Sequence, residues 1–99
     1  MSYKIEKIEL SGELTQLFFS GDLILNDSNT IKDELIAFSI ADVNFELRFE
    51  GVTNLDLSVL QVVESFRRCI VEKGQKVEFV WNLSDDLKNL IELSGFLSS

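Results

Sequence analysis

From residue 14 onward, segments with an apolar residue at every second position alternate with segments that repeat apolar residues every three or four positions. The clearest strand pattern runs from Val43 to Phe49, where apolar and polar residues alternate without a break. The clearest helix pattern runs from Leu57 to Lys73 and stops at Gly74. This alternation of strands and helices predicts an α/β domain with a mostly parallel sheet.

The remaining patterns complete a predicted order of strand, strand, helix, strand, helix, strand, helix. We predict further strands over Lys4–Leu10, Leu14–Ser20 and Lys76–Trp81, and helices over Asn29–Ser39 and from Ser84 to Gly95. The first strand is expected to lie antiparallel at one side of a sheet of about four strands. Right-handed crossovers would put the helices mainly on one face, which the alternating strands also indicate. Gly21 is expected to end the second strand, and residues 51–55 to form a loop.

Composition limits the kinds of partner. The 99 residues include 45% hydrophobic residues, which predicts one packed domain over residues 1–99. Seventeen acidic residues against nine basic ones give a net charge of −8, which disfavours nucleic acid and anionic lipid as partners. No apolar stretch approaches the roughly 20 residues of a membrane span. We therefore expect a soluble, cytoplasmic protein without direct membrane insertion.

Catalytic chemistry has little support in the sequence. Histidine, the commonest general base and metal ligand, is absent. The single cysteine, Cys69, can form neither an intramolecular disulfide nor a thiolate zinc cluster. No glycine-rich phosphate loop is present. We expect a non-catalytic binding domain with no metal and no cofactor.

Three landmarks, in order, resemble the STAS domain family, named after sulfate transporters and anti-sigma factor antagonists. Gly21-Asp22-Leu23 resembles the glycine, acid and leucine that close the family's second strand. The stretch from Gly51 to Leu60 is similar to the family's central segment, where a strand leads into an aspartate, two hydroxyl residues, a glycine and a leucine. Glu92 to Phe96 resembles the ending of the last helix. The resemblance covers about Leu14 to Phe96 and implies a STAS-like sheet with helices mainly on one face.

The family's central segment is a phosphorylation switch, and this chain departs from its pattern. The family aspartate corresponds to Asp56, and the acceptor directly after it corresponds to Leu57, which has no hydroxyl. The next residue, Ser58, is the remaining phosphorylation candidate, although it would serve equally as a helix cap. Asp56 has the same two interpretations, recognition residue or cap. Leu57 lies either on the surface or in the core.

The resemblance implies a protein–protein interaction domain in bacterial signalling and transcription regulation. Its partner would be an anti-sigma factor or a related serine/threonine kinase, bound either with or without the usual phospho-switch. The implied binding surface comprises Thr53, Asn54, Asp56, Leu57, Ser58 and Gln61. The alternative is a small STAS subunit of a membrane transporter for lipids or anions, docked on the ATPase subunit. An exposed sheet face or edge could also support a homodimer.

Overall fold

The computed structural model describes residues 3–93 and has the predicted order of elements. Chain order is β1 (Tyr3–Glu9), β2 (Leu14–Leu23), α1 (Ser28–Phe38), β3 (Asn44–Leu55), α2 (Leu57–Glu72), β4 (Val77–Asn82) and α3 (Asp85–Leu93). A 3-10 turn at Leu25–Asp27 precedes α1. The predicted stop of the last helix at Gly95, and the end of the third landmark, lie outside the described residues.

The sheet has the predicted topology. Its strands lie in the order β1-β2-β3-β4, with β1 antiparallel to β2 and the other neighbours parallel. Alternate side chains of β2 and β3 are fully buried on the face that the helices cover, among them Leu17, Leu47 and Phe49. The residues between them, such as Phe18 and Arg48, are only half-buried on the opposite face. We call this second side the open face.

Aromatic rings join the three parallel strands across the covered face. Phe19, Phe49 and Trp81 stand opposite one another in register. The Phe19 and Phe49 ring centroids are 4.6 Å apart, and those of Phe49 and Trp81 are 4.4 Å apart, with nearly parallel planes. Phe45 meets Phe66 of α2 edge to face at 5.1 Å. These contacts combine cross-strand pairing with attachment of α2 to the sheet.

The buried stripe of α2 begins at Val59. Apolar residues in the sequence step from Leu57 through Leu60, Val63 and Phe66 to Ile70, but Leu57 is exposed and Val59 is buried instead. Each step of three residues falls about 60° short of a full turn, so three such steps in a row carry the first residue off the apolar face. Val59, four residues before Val63, corrects this drift.

Two strands continue beyond their predicted ends. The prediction that Gly21 ends β2 is wrong, as is the prediction that residues 51–55 form a loop, because these residues extend the β2–β3 ladder. Gly21 and Gly51 have φ of 82° and 73°, in the left-handed region that glycine adopts without steric cost. The register shifts at Gly21 and then resumes with Asp22 opposite Asn54. The glycines therefore bend the two strands without separating them.

An ion pair on α2 makes part of the stability depend on pH. The Glu64 carboxylate accepts a hydrogen bond from Arg67 Nε at 3.0 Å, and the Arg67 guanidinium lowers the pKa of Glu64 below 4.5. A carboxyl group with a lowered folded-state pKa stabilises the fold above its unfolded-state pKa and loses that effect as the pH falls through the folded-state value. We expect Glu64→Gln to lower the free energy of unfolding by about 0.5 kcal/mol at pH 7. The difference should shrink as the pH falls through the folded-state pKa of Glu64.

Urea unfolding at pH 7 and at pH 3 measures this effect. The exposed Glu72 lies in the same helix, and Glu72→Gln is the control. An equal loss of stability at pH 7 and pH 3 in the Glu64 variant would contradict the ion-pair explanation.

Candidate partner-binding site

Asp56 occupies the junction between β3 and α2. Its backbone is extended, with φ −95° and ψ 150°, and its carbonyl accepts the N–H groups of Val59 at 3.1 Å and Leu60 at 3.2 Å. Its carboxylate makes no capping hydrogen bond to α2 and instead accepts the N–H of Leu25 at 2.7 Å. The Asp56 N–H donates to the carbonyl of Leu23 at 2.9 Å. Asp56 thus takes the N-cap position and also fastens the start of α2 to the chain after β2.

Asp22 organises the residues before this junction. Its Oδ1 accepts hydrogen bonds from Thr53 Oγ1 at 2.5 Å and from Asn54 Nδ2 at 2.7 Å. Thr53 and Asn54, both predicted partner-binding residues, are exposed with their side chains held in place. Sequence reasoning placed Asp22 in a landmark but gave it no role at the site. The glycine-acid-leucine pattern drew attention to Asp22. Its hydrogen bonds to Thr53 and Asn54 depend on the extension of β2 and β3, which was not predicted.

Two exposed leucines flank the Asp56 carboxylate. The Leu57 side chain is 48% exposed and Leu25 is 63% exposed. The sequence left Leu57 either on the surface or in the core, and the structure places it on the surface. Leu25 was not predicted at the site, because it lies far from Asp56 in sequence and joins it only through the hydrogen bond to its N–H.

Gln61 extends this exposed region along the helix. It follows Leu57 by four residues, which places it one turn further on the same side of α2, and it is exposed. We use the name α2-start surface for the residues Leu25, Thr53, Asn54, Asp56, Leu57 and Gln61. Together with the neighbouring Asp22, these residues carry two carboxylates and no cationic side chain. The surface therefore presents exposed apolar groups in an acidic setting.

Ser58 lies directly beside this surface but points inward. Its residue is half-buried, and its hydroxyl oxygen is buried without a hydrogen-bond partner among the described residues. It therefore does not act as a side-chain cap of α2. A kinase must reach this oxygen to phosphorylate it, so modification would require the first turn of α2 to open. Phosphorylation of Ser58 stays a prediction.

The orphaned hydroxyl gives a direct stability prediction. We expect Ser58→Ala to raise the free energy of unfolding by about 1 kcal/mol, because it removes a buried polar group that makes no hydrogen bond and because alanine favours helix. Urea denaturation followed by circular dichroism measures the change. Ser65→Ala is the control, since the Ser65 hydroxyl is exposed and donates to the Gln61 carbonyl at 3.1 Å. A loss of stability in the Ser58 variant would show that its hydroxyl is bonded in solution.

Between residues 3 and 93, no group of three cysteine, aspartate or glutamate side chains is placed to hold a metal ion. Within the same range, no helix combines the length and apolar character that crossing a bilayer requires.

Comparisons with known proteins identify the fold. No protein-family model matches the chain, and no curated protein sequence matches it. Solved structures do match. SpoIIAA, an anti-sigma factor antagonist solved in its unphosphorylated form, is 18% identical with a TM-score of 0.74, over 93% of this chain and 81% of that one. The phosphorylated form of the Bacillus cell fate determinant SpoIIAA is 17% identical with a TM-score of 0.66, over 93% and 84%.

A third solved structure agrees with these two. The anti-sigma factor antagonist STAS domain from Rhodobacter sphaeroides is 18% identical with a TM-score of 0.66, over 80% of this chain and 86% of that one. At these identities the likeness shows the fold. The chain has the STAS fold, as the landmarks implied, with a four-stranded, mostly parallel sheet and three helices over residues 3–93.

Proposed function

We propose that this protein is a non-catalytic regulatory domain that binds an anti-sigma factor or a related serine/threonine kinase in the bacterial cytoplasm. The fold it shares with two anti-sigma factor antagonists supports this role. The exposure of Leu57 carries the assignment of the surface, because a large apolar side chain stands in solvent at the position where the family resemblance puts the regulated contact.

The proposed mechanism is competitive sequestration. The α2-start surface occupies the partner's docking face and releases a sigma factor or another client. Leu57 supplies an apolar anchor, and the acidic setting from Asp22 and Asp56 favours a partner with basic residues around an apolar recess. Because Leu57 has no hydroxyl and the Ser58 hydroxyl is buried, the folded domain offers a kinase no accessible acceptor at these two positions. The binder is therefore constitutive unless α2 opens.

A matched pair of variants tests this proposal. Leu57→Asp should weaken partner binding about tenfold, since burying the exposed part of a leucine is worth on the order of 1.5 kcal/mol. Ile36→Asp is the control, because Ile36 is 54% exposed on α1, outside the α2-start surface. Tagged wild-type and variant proteins are used to capture partners from the source organism. The captured protein is identified by mass spectrometry, and its affinity is measured by calorimetry.

The outcomes separate the two functions. Capture of a kinase-like ATPase or a sigma-regulatory protein by the wild type and by Ile36→Asp, with loss in Leu57→Asp, supports the proposal. Capture of a transporter ATPase together with its permease would overturn it in favour of the transporter-subunit alternative. Equal affinity of wild type and Leu57→Asp for a regulatory partner would show that the contact lies elsewhere.

A further inference from the structure

Among residues 3–93, the outer edge of β1 has no neighbouring strand in the sheet. β1 is the first strand in the order, and within this range its one pairing partner is β2. The N–H of Leu10 donates to the carbonyl of Leu14 at 3.0 Å, which fixes the phase of the antiparallel ladder. Since alternate residues of such a ladder face the neighbouring strand, the backbone groups of Tyr3, Ile5 and Lys7 face away from β2. These groups form an exposed edge that can accept another strand.

The charges of β1 form two pairs, one on each side of the strand. Lys4 and Glu6 lie 2.5 Å apart on the open face, opposite Ser20 and Phe18 of β2. Lys7 and Glu9 lie 3.2 Å apart on the other face. Charged residues on an edge ordinarily prevent strand pairing. Charged edge residues favour strand pairing instead where a second strand places opposite charges directly across from them.

Symmetry limits how two copies of β1 can pair. In a two-fold symmetric antiparallel pair, directly opposed residues lie on the same face, so the axis must pass through a residue position. Centring the pair on Glu6 sets that carboxylate against its own copy, and centring it on Lys7 opposes two ammonium groups. Centring it on Ile5 places two isoleucines opposite each other. Lys4 of each copy then faces Glu6 of the other, and Tyr3 faces Lys7.

We propose that two copies of this chain associate through β1, with the two-fold axis at Ile5, to form a continuous eight-stranded sheet. This register joins the outward backbone groups of Tyr3, Ile5 and Lys7 to their counterparts. It also brings together two Ile5 side chains that already pack on the edge of each core. Centring the pair on Ile8 would also make two cross-copy ion pairs, between Lys7 and Glu9, but it pairs only three residues of β1. The Ile5 register pairs five residues, makes two cross-copy ion pairs and opposes no like charges at the axis.

The expected association is weak and reversible. Five residue pairs make a smaller contact than the roughly 1,200–2,000 Å² that stable interfaces bury. The net charge of −8 on each copy also opposes association at low salt. At 0.15 M salt, where the screening length is about 8 Å, the adjacent Lys4–Glu6 pairs still act while the long-range repulsion is reduced. Association should therefore be measured at this ionic strength.

Charge exchange on β1 tests the register. Sedimentation velocity of the whole chain over a broad concentration range gives the dimer dissociation constant. Lys4→Glu should raise this constant about tenfold, because it replaces two attractive pairs by two repulsive ones. Lys4→Glu combined with Glu6→Lys should restore the wild-type value, because the pairs re-form with exchanged charges. Lys7→Pro should abolish the dimer, since proline removes an outward N–H that β2 does not use.

Each result bears on the proposal. Circular dichroism of every variant confirms that the monomer is folded, so a lost dimer is not confused with unfolding. The double variant keeps the pair within the strand as well as the pairs between copies, which makes it the matched control. A wild-type protein that stays monomeric at every concentration would overturn the proposal. A double variant as weak as Lys4→Glu would overturn the Ile5-centred register.

Discussion

Replacing Phe49 by alanine is expected to lower the free energy of unfolding by about 4 kcal/mol. Phe49 is fully buried in the middle of the aromatic stack, between Phe19 and Trp81. Truncation leaves a cavity that neighbours on both adjacent strands would have to fill, and a sheet held by cross-strand hydrogen bonds closes such a gap poorly. Loss of two ring-stacking contacts adds to the cost. Urea denaturation followed by circular dichroism measures the change.

Phe18→Ala is the control for the Phe49 experiment. Phe18 belongs to the same sheet but lies half-buried on the open face, 5.7 Å from the Arg48 guanidinium. We expect a loss of about 1 kcal/mol for this variant, because less apolar area is buried. Similar losses for Phe18 and Phe49 would contradict a one-sided core.

Asp56→Ala is expected to cost about 2 kcal/mol of stability. The substitution removes the acceptor of the Leu25 N–H, and hydrogen bonds to charged groups are worth more than neutral ones. It also removes a negative charge from the N-terminus of α2, where the helix dipole favours it. Hydrogen exchange of the Leu25 amide should accelerate together with the loss of global stability. Urea denaturation measures the stability change.

Two variants separate the contributions of Asp56. Asp56→Asn keeps an acceptor oxygen without the charge, so about half of the loss should remain. Asp27 is also an aspartate in an N-cap position, before α1, and it makes no side-chain capping hydrogen bond. We therefore expect Asp27→Ala to cost less than 0.5 kcal/mol. An equal cost at Asp27 and Asp56 would mean that the contact with Leu25 contributes nothing.

The sequence predicted the elements well because their apolar spacing is local. Val43 to Phe49 alternates without interruption, and the buried alternation of β3 follows it residue by residue. The end of α2 before Gly74 could also be predicted, because helices commonly end at a glycine in the left-handed conformation. In the structure Gly74 has φ of 87°. Antiparallel placement of β1 followed from the short Ser11-Gly12 turn, which leaves no room for a crossover. These features depend on neighbours in sequence.

The candidate site was less predictable because its contacts join distant parts of the chain. Asn54 was assigned as a partner-binding residue, but nothing near it in sequence indicates that Asp22 holds its side chain. Gly51 was interpreted as a loop residue because glycine commonly ends strands, whereas here it bends one. Leu57 and Ser58 are adjacent at the start of a helix, where successive side chains point about 100° apart around the axis, so one can face outward and the next inward. Only the position of α2 on the sheet decides between them.

The position of Trp81 gives the protein a built-in optical reporter. It is the only tryptophan of the chain, and its ring stacks on Phe49 at 4.4 Å and on Phe79 at 5.3 Å. Its strand, β4, forms the sheet edge opposite β1. Indole emission should therefore change when the sheet comes apart and stay constant when a second copy joins at β1. Tryptophan fluorescence thus follows unfolding of the sheet without interference from self-association at β1.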